Sequence, residues 1–463
     1  MRTEKDFLGS KEIPDNVYYG INTARALENF GPGTEKLDSH FIKAYLLVKK
    51  AAAMANMDIK SLSEDKAGAI TGAIDAMLKS GDFTDICVNP LAGGAGTSVN
   101  MNINEVIANR ALEMAGMQKG EYSFIHPLDD VNMHQSTNDT FPTALKVAML
   151  MYLDDIEKAI TSLQENLQAK EKEFSGAVKL GRTELQDALP ITVGMQFSAY
   201  ADAAGRDRWR IFKCRERIKT VNLGGTAIGT GFGAPQDYIF KATDILKKLT
   251  GLNISRAENL VDATQNLDPI TEVMGMVKTA AVNLMKISED LRFMSSGPEG
   301  GIGEFILPEL QEGSTIMPGK VNPVMCEYVT QSSLRVFAND HALTTAAAMG
   351  NLELNQLYPL VAHLALANMA MVLDSVSRLD NKVIKGIKLN QQAIARNLSS
   401  AVAILTYLAS HIGHDRAASA YEEHKRSGKA VREVVTGLGY LTPEKYDELL
   451  SPDRVRMMGF KKS

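Results

Sequence analysis

Cysteine is scarce in this chain: Cys87, Cys214 and Cys326 lie far apart, with no C-x-x-C pairing. An odd, dispersed set excludes a disulfide framework and gives no zinc or dithiol motif, which fits a reducing compartment. Histidine offers no metal spacing either; the nearest two, His411 and His414, form a lone i,i+3 pair of the kind that is more often structural. Charge of one sign is also missing. The 50 Lys and Arg against 55 Asp and Glu leave −5, no footprint for nucleic acid or an anionic membrane, so an anionic ligand must be captured by local donors. The opening MRTEKDFLGS lacks the apolar run of a secretory signal, and the most apolar stretch, residues 360–373, is interrupted by His363 and Asn368 and reads as too short to cross a bilayer. The expectation is a soluble, cytoplasmic protein without membrane or nucleic-acid partners.

What is present is helix. The positions Val273, Val277, Ala280, Leu284, Ile287, Leu291 and Met294 alternate four and three apart, the period of a helix packed lengthwise in a bundle. Asp268-Pro269 reads as its start and Gly297-Pro298 as its stop. Further helical patterns cover Phe41, Tyr45, Val48 and Ala52, residues 324–348 and residues 356–385. The last 70 or so residues are more charged, with short helical pieces split by Gly413, Gly428, Gly437 and Pro443. In a chain of 463 residues this predicts an all-α fold in three parts: an α-rich domain over 1–136, a central bundle of long helices over 137–391, and a small helical domain over 392–463. A stripe this long must be hidden, and bundles of this length usually complete the burial against other subunits.

Four polar islands break the helical texture: GGAGTSVNMN (93–102), HQSTND (134–139), GRTELQD (181–187) and GSTIMPGKVNP (313–323). Hydroxyls and amides beside glycine or at a helix start suit carboxylate binding. Singly, each has a plain alternative: Ser136 to Asp139 as an N-cap cluster, Thr183 and the loop hydroxyls as turn residues. GTAIGTGFG (225–233) has neither the full glycine spacing nor a preceding strand for a nucleotide site.

Taken together and in order, the islands resemble the aspartase/fumarase superfamily, whose signature G-S-S-x-M-P-x-K-x-N is similar to GSTIMPGKVNP. The resemblance runs from EKDFLGSKEIPDNVYYGINT to GKAVREVV, and GGAGTSVNMN and QSTND are similar to the forms of the aspartase branch. It implies a homotetramer around a central helical bundle, sites shared between subunits, no organic cofactor, and a small dicarboxylate or amino-acid substrate; some aspartases are activated by magnesium, but no dedicated metal-ligand cluster is visible in this sequence. The implied reaction is reversible anti-elimination of ammonia from L-aspartate, giving fumarate. By the same resemblance Ser314 is the base. Thr97, Ser136, Thr137 and Thr315 stabilise the aci-carboxylate, Lys320, Asn322 and Thr183 hold the other carboxylate, and Asn138 meets the amino group. A donor-rich surround is what such an intermediate demands, and closure of a glycine- and proline-hinged loop would bring Ser314 to the carbon.

Three positions depart from the pattern. Thr315 replaces a serine and keeps the hydroxyl. Glu184 stands where relatives have histidine, or glutamine in some aspartases, and the resemblance would set it against Glu327. Two facing carboxylates call for a proton or a cation between them. That leaves open an enzyme expelling a different amine, such as an N-substituted aspartate or a quaternary ammonium acid. Glu299 replaces an arginine in SSGPEGG. A class II fumarase and a non-catalytic binding or structural relative are the remaining alternatives.

Overall fold

The computed structural model describes residues 1–457 and 459; Met458 and residues 460–463, the end of the third sequence-read part, lie outside the described residues. The fold is mainly helical, as the periodicity predicts. A hairpin of β1 (Arg2–Asp6) and β2 (Gly9–Ile13) opens the chain, followed by α1 (Ile21–Phe30), α2 (Ser39–Asp58), α3 (Glu64–Ser80) and α4 (Thr97–Met114). A π-turn at Pro127–Val131 leads to α5 (Thr137–Glu173). A second hairpin, β3 (Val178–Thr183) with β4 (Gln186–Thr192), precedes α6 (Val193–Ile218), α7 (Gln236–Thr250), α8 (Leu260–Gln265) and α9 (Asp268–Met294). After α10 (Val324–Ala347) and α11 (Tyr358–Lys382), six short helices from α12 (Gln391–Ser400) to α17 (Pro452–Val455) close the chain, broken by the glycines and proline expected.

In space the chain forms two compact units, each built from separate stretches. One holds Met1–Glu157, Arg210–Thr279 and Leu334–Leu373; the other holds Lys158–Trp209, Ala280–Ser333 and the chain from Asp374 on. The first unit is centred on an aromatic cluster: Phe41 meets Tyr45 at 5.6 Å and Phe141 at 5.0 Å, and Phe141 meets Tyr358 at 6.2 Å. Edge contacts of this kind add to the area these rings bury. In the second unit Phe197 contacts Phe174, Tyr200 and Phe305. Its terminal helices share a small core of Ile404, Leu405, Leu408, Val431, Val435 and Leu449.

Two expectations need correction. Every position of the 273–294 stripe is already buried within a single chain, so that stripe does not call for a partner. Apolar surface is left instead elsewhere on the long helices, at Met195, Val282, Phe293 and Leu334, all exposed. The apolar segment near 360 is also longer than it reads, because α11 has 25 residues and is long and apolar enough to cross a membrane. Asn368 does not interrupt it: the side chain is fully buried, accepting from Asn339 at 2.9 Å and donating to the Val336 carbonyl at 3.3 Å. With Val361, Ala365, Met369, Val372, Val376 and Leu379 buried as well, α11 serves as a core helix.

Candidate active site

The first two islands meet in the first unit. Ser136 precedes α5, and its hydroxyl accepts the Asn138 N–H at 3.2 Å while Asp139 reaches back to the Ser136 N–H at 3.0 Å. This is a capping box, so the helix-start alternative is realised. It does not exhaust Asp139, whose second oxygen accepts the N–H groups of Gly224 and Thr226 at 3.1 Å each. Asn138 adds a bond from its amide to the Ala227 carbonyl at 2.7 Å. The 225–233 glycine segment is thus the scaffold that holds the start of α5. Gly229 is obligatory there: its φ is +87°, and a Cβ would lie 2.4 Å from the Val261 Cα.

Beneath the island lies a buried polar network. Lys49 is fully buried and donates to Asn132 Oδ1 and Gln135 Oε1, both at 2.9 Å. Burial pulls its ammonium down to about 7 and pushes the Asp139 carboxyl up to about 7, each opposed by the other's charge. Asn100 Nδ2 donates to Thr137 Oγ1 at 3.0 Å, which joins α4 to α5. Thr97 lies three residues before Asn100 on α4, hence on the same helix face, and is exposed. Gly96 immediately before it has φ +95°, and a Cβ there would stand 2.4 Å from Phe141. Gly96→Ala is therefore expected to lower stability by about 1–3 kcal/mol through overpacking. If Thr97 holds a carboxylate, as the resemblance implies, the shift should also weaken dicarboxylate binding; a melt and a fumarate titration of the variant check both.

The other two islands belong to the second unit. Thr183 pairs with Gln186, so Glu184 and Leu185 form the two-residue tip of the β3–β4 hairpin, with φ +53° and +62°. Both take the left-handed conformation such a tip demands, without the usual asparagine or glycine. Thr183 and Glu184 are exposed. Below the tip, fully buried Glu304 anchors the hairpin: it accepts from Arg182 at 2.8 Å and Asn397 at 3.0 Å and faces Lys179 at 3.5 Å.

The 313–323 segment is a loop closed at its neck. The Gly313 N–H donates to the Lys320 carbonyl, and Asn322 Nδ2 donates to the Gly313 carbonyl, both at 2.8 Å. Ser314 Oγ accepts two backbone N–H groups, from Ile316 at 3.2 Å and Met317 at 3.0 Å. Thr315 and the Lys320 side chain are exposed. Glu327, in the first turn of α10, is joined to Glu184 by no hydrogen bond or ion pair among the described residues. Its charge reaches Arg292 instead, which Glu289 chiefly, and Glu327 with it, holds above the ordinary guanidinium value. Glu299 is exposed, and nothing in the structure explains its replacement of arginine. Among the described residues no three His, Cys, Asp or Glu side chains converge as metal ligands.

Each unit therefore holds its own set of the predicted site residues: Thr97, Ser136, Thr137 and Asn138 in one, and the hairpin tip and the serine loop in the other. Sequence reasoning missed Lys49, Asn132 and the role of Asn100, and it read Asp139 only as part of the helix cap. A readable signal existed in Asn100 and Asn104, two asparagines four apart on α4, both buried.

The lyase family model matches residues 9–338, and the fumarase C C-terminus model matches residues 404–456. An aspartate ammonia-lyase of Bacillus sp is 42% identical, covering 98% of this chain and 97% of its own, and that of Escherichia coli strain K12 is 40% identical over 100% and 97%. Among solved structures, the fumarate lyase:delta crystallin from Brucella melitensis bound to cobalt aligns with TM-score 0.92 at 40% identity, covering 98% of this chain and 99% of that one. The class II fumarase from Schistosoma mansoni aligns with TM-score 0.88 at 31% identity, over 97% and 98%. The chain belongs to this lyase family, the aspartase/fumarase superfamily. It is an enzyme, a carbon–nitrogen lyase of the aspartate ammonia-lyase type.

Proposed function

We propose that the chain catalyses the reversible anti-elimination of ammonia from L-aspartate to give fumarate, with Ser314 as the base. The observation that carries this reading is the environment of Ser314 Oγ, which already accepts two backbone N–H groups inside its own loop. A serine hydroxyl is a poor base at its ordinary pKa, and such donors are what stabilise its alkoxide. The alkoxide removes a proton from the carbon beside one carboxylate, and the electron pair moves into that carboxylate as an aci-carboxylate. Its collapse forms the double bond and expels the amine from the adjacent carbon on the opposite face. Thr97, Ser136, Thr137 and Thr315 are the donors assigned to the aci-carboxylate; Lys320 and Thr183 hold the other carboxylate. Asn138 meets the amine. Asn322, whose amide clasps the loop neck, acts by keeping the loop in shape. No cofactor enters these steps. A homotetramer fits the exposed apolar positions on the long helices; sites shared between subunits and a place in the cytoplasm complete this reading.

A second reading rests on Glu184. It places an exposed carboxylate, with no hydrogen bond or ion pair among the described residues, beside Thr183. That charge would favour a bulkier or permanently cationic amine as leaving group. The test is to mix the purified protein with L-aspartate and follow fumarate by its ultraviolet absorbance. Rapid fumarate formation is expected. A folded protein inert toward aspartate yet active on N-substituted aspartates would replace the first reading by the second, and activity on malate alone would make it a fumarase.

A further inference from the structure

We propose that Asn100 is a positioning residue for this reaction, fixing the direction in which the Thr137 hydroxyl donates its hydrogen. The inference rests on the carboxylate-binding role given to Thr137 above. A threonine hydroxyl has one hydrogen and can turn it toward any acceptor in reach. Here the oxygen is already occupied by a donor, Asn100 Nδ2 at 3.0 Å, so its hydrogen must point elsewhere. Among the described residues no hydrogen bond takes it up, and Thr137 keeps 8% of its surface exposed; that this hydrogen meets a ligand follows from the carboxylate-binding role given to Thr137 above.

The argument depends on which end of the Asn100 amide faces Thr137, and the neighbours decide that chemically. Asn132 is fixed from two sides. Its Oδ1 receives the Lys49 Nζ at 2.9 Å, and its Nδ2 donates at 3.1 Å to the Gln135 carbonyl, which can only accept. Asn132 therefore turns its oxygen toward Asn100, and only the NH2 end of Asn100 can meet it, at 3.1 Å. The second hydrogen of that same NH2 is the one given to Thr137. On the other edge, Asn100 Oδ1 takes the Tyr45 phenol at 3.1 Å. Tyr45, Lys49 and Asn100 are buried, so water cannot substitute for a missing member. The donor at Lys49 thereby sets, through two amides, the direction of the Thr137 hydroxyl.

Two substitutions of equal shape and charge separate this from a packing role. Asn132→Asp keeps an acceptor facing both Lys49 and Asn100 but loses the donation to the Gln135 carbonyl, so the assembled full-length variant should lose less fumarate binding than Asn100→Asp does. Asn100→Asp instead presents an acceptor to Thr137, turning its hydrogen inward. Loss of one donor to a charged ligand predicts fumarate binding weaker by about tenfold or more in calorimetry. Thr137→Val should match that loss and Thr137→Ser should restore binding. The Asn100→Asp, Thr137→Val double variant should bind no worse than either single one. Should Asn100→Asp fail to fold, Asn100→Ala takes its place, with a loss of about threefold expected and the same non-additivity with Thr137→Val. Equal losses in Asn132→Asp and Asn100→Asp, or full additivity with Thr137→Val, overturn the proposal. A parent protein that neither binds fumarate nor deaminates aspartate overturns the proposed function first, and the role of Asn100 with it.

Discussion

Ser314→Ala is expected to retain fumarate binding while kcat falls by about a hundred- to ten-thousandfold, the scale set by removal of a positioned base. The physical reason is local. The donors assigned to the carboxylates lie on other side chains, and the neck bonds from Gly313 and Asn322 do not involve the Ser314 hydroxyl. What disappears is the oxygen that the Ile316 and Met317 N–H groups hold, and with it the proton acceptor. An interaction needed only in the transition state lowers kcat and kcat/KM together. The comparison is a fumarate titration beside steady-state rates in both directions. If the variant keeps more than a tenth of the parent rate, Ser314 is not the base. A rise in KM with kcat preserved would give it a binding role instead.

Glu304→Ala is expected to be the most destabilising single change in the second unit. Glu304 is fully buried and is the shared partner of Lys179, Arg182 and Asn397. Removing it strands two cations in a poorly hydrated place, and breaking a buried ion pair from one side costs about 3–5 kcal/mol. Lys179 responds further, because burial already pulls its pKa down and Glu304 is the main charge opposing that. For a unit of this size the loss corresponds to a fall in Tm on the order of 10 °C. Glu304→Gln keeps the shape and the bond from Arg182, so its fall should be smaller. A melt of Glu304→Ala within about two degrees of the parent, well inside the shift that principle sets, would mean that the cations find water when the carboxylate is gone.

Both residues bear on what the sequence made legible. Ser314 stood out because glycine, proline, lysine and asparagine crowd around it in one run, a pattern no ordinary interhelical loop requires. Glu304 did not stand out, since its partners lie more than ninety residues away in one direction and a hundred in the other; only the folded chain joins them. The long helices were legible from period alone, but period records which face is apolar and not what covers it. That is why the 273–294 stripe suggested a partner although the chain buries it unaided. The β3–β4 hairpin was missed for a different reason: its tip is Glu184-Leu185, which carries none of the usual turn signal. Asn368 misled in the opposite sense, because a polar side chain inside an apolar run reads as a break unless its buried partner, Asn339, is known.

The hairpin tip also bears on how this lineage can change. The backbone there is held from below by Glu304 and the strand pairing, and the side chains at 184 and 185 are exposed. Drift at these positions is limited chiefly by the left-handed backbone, which disfavours β-branched residues, whereas drift within the serine loop disturbs the neck bonds of Gly313 and Asn322. On the second reading, in which Glu184 meets the leaving amine, new amine preferences should arise first at the tip.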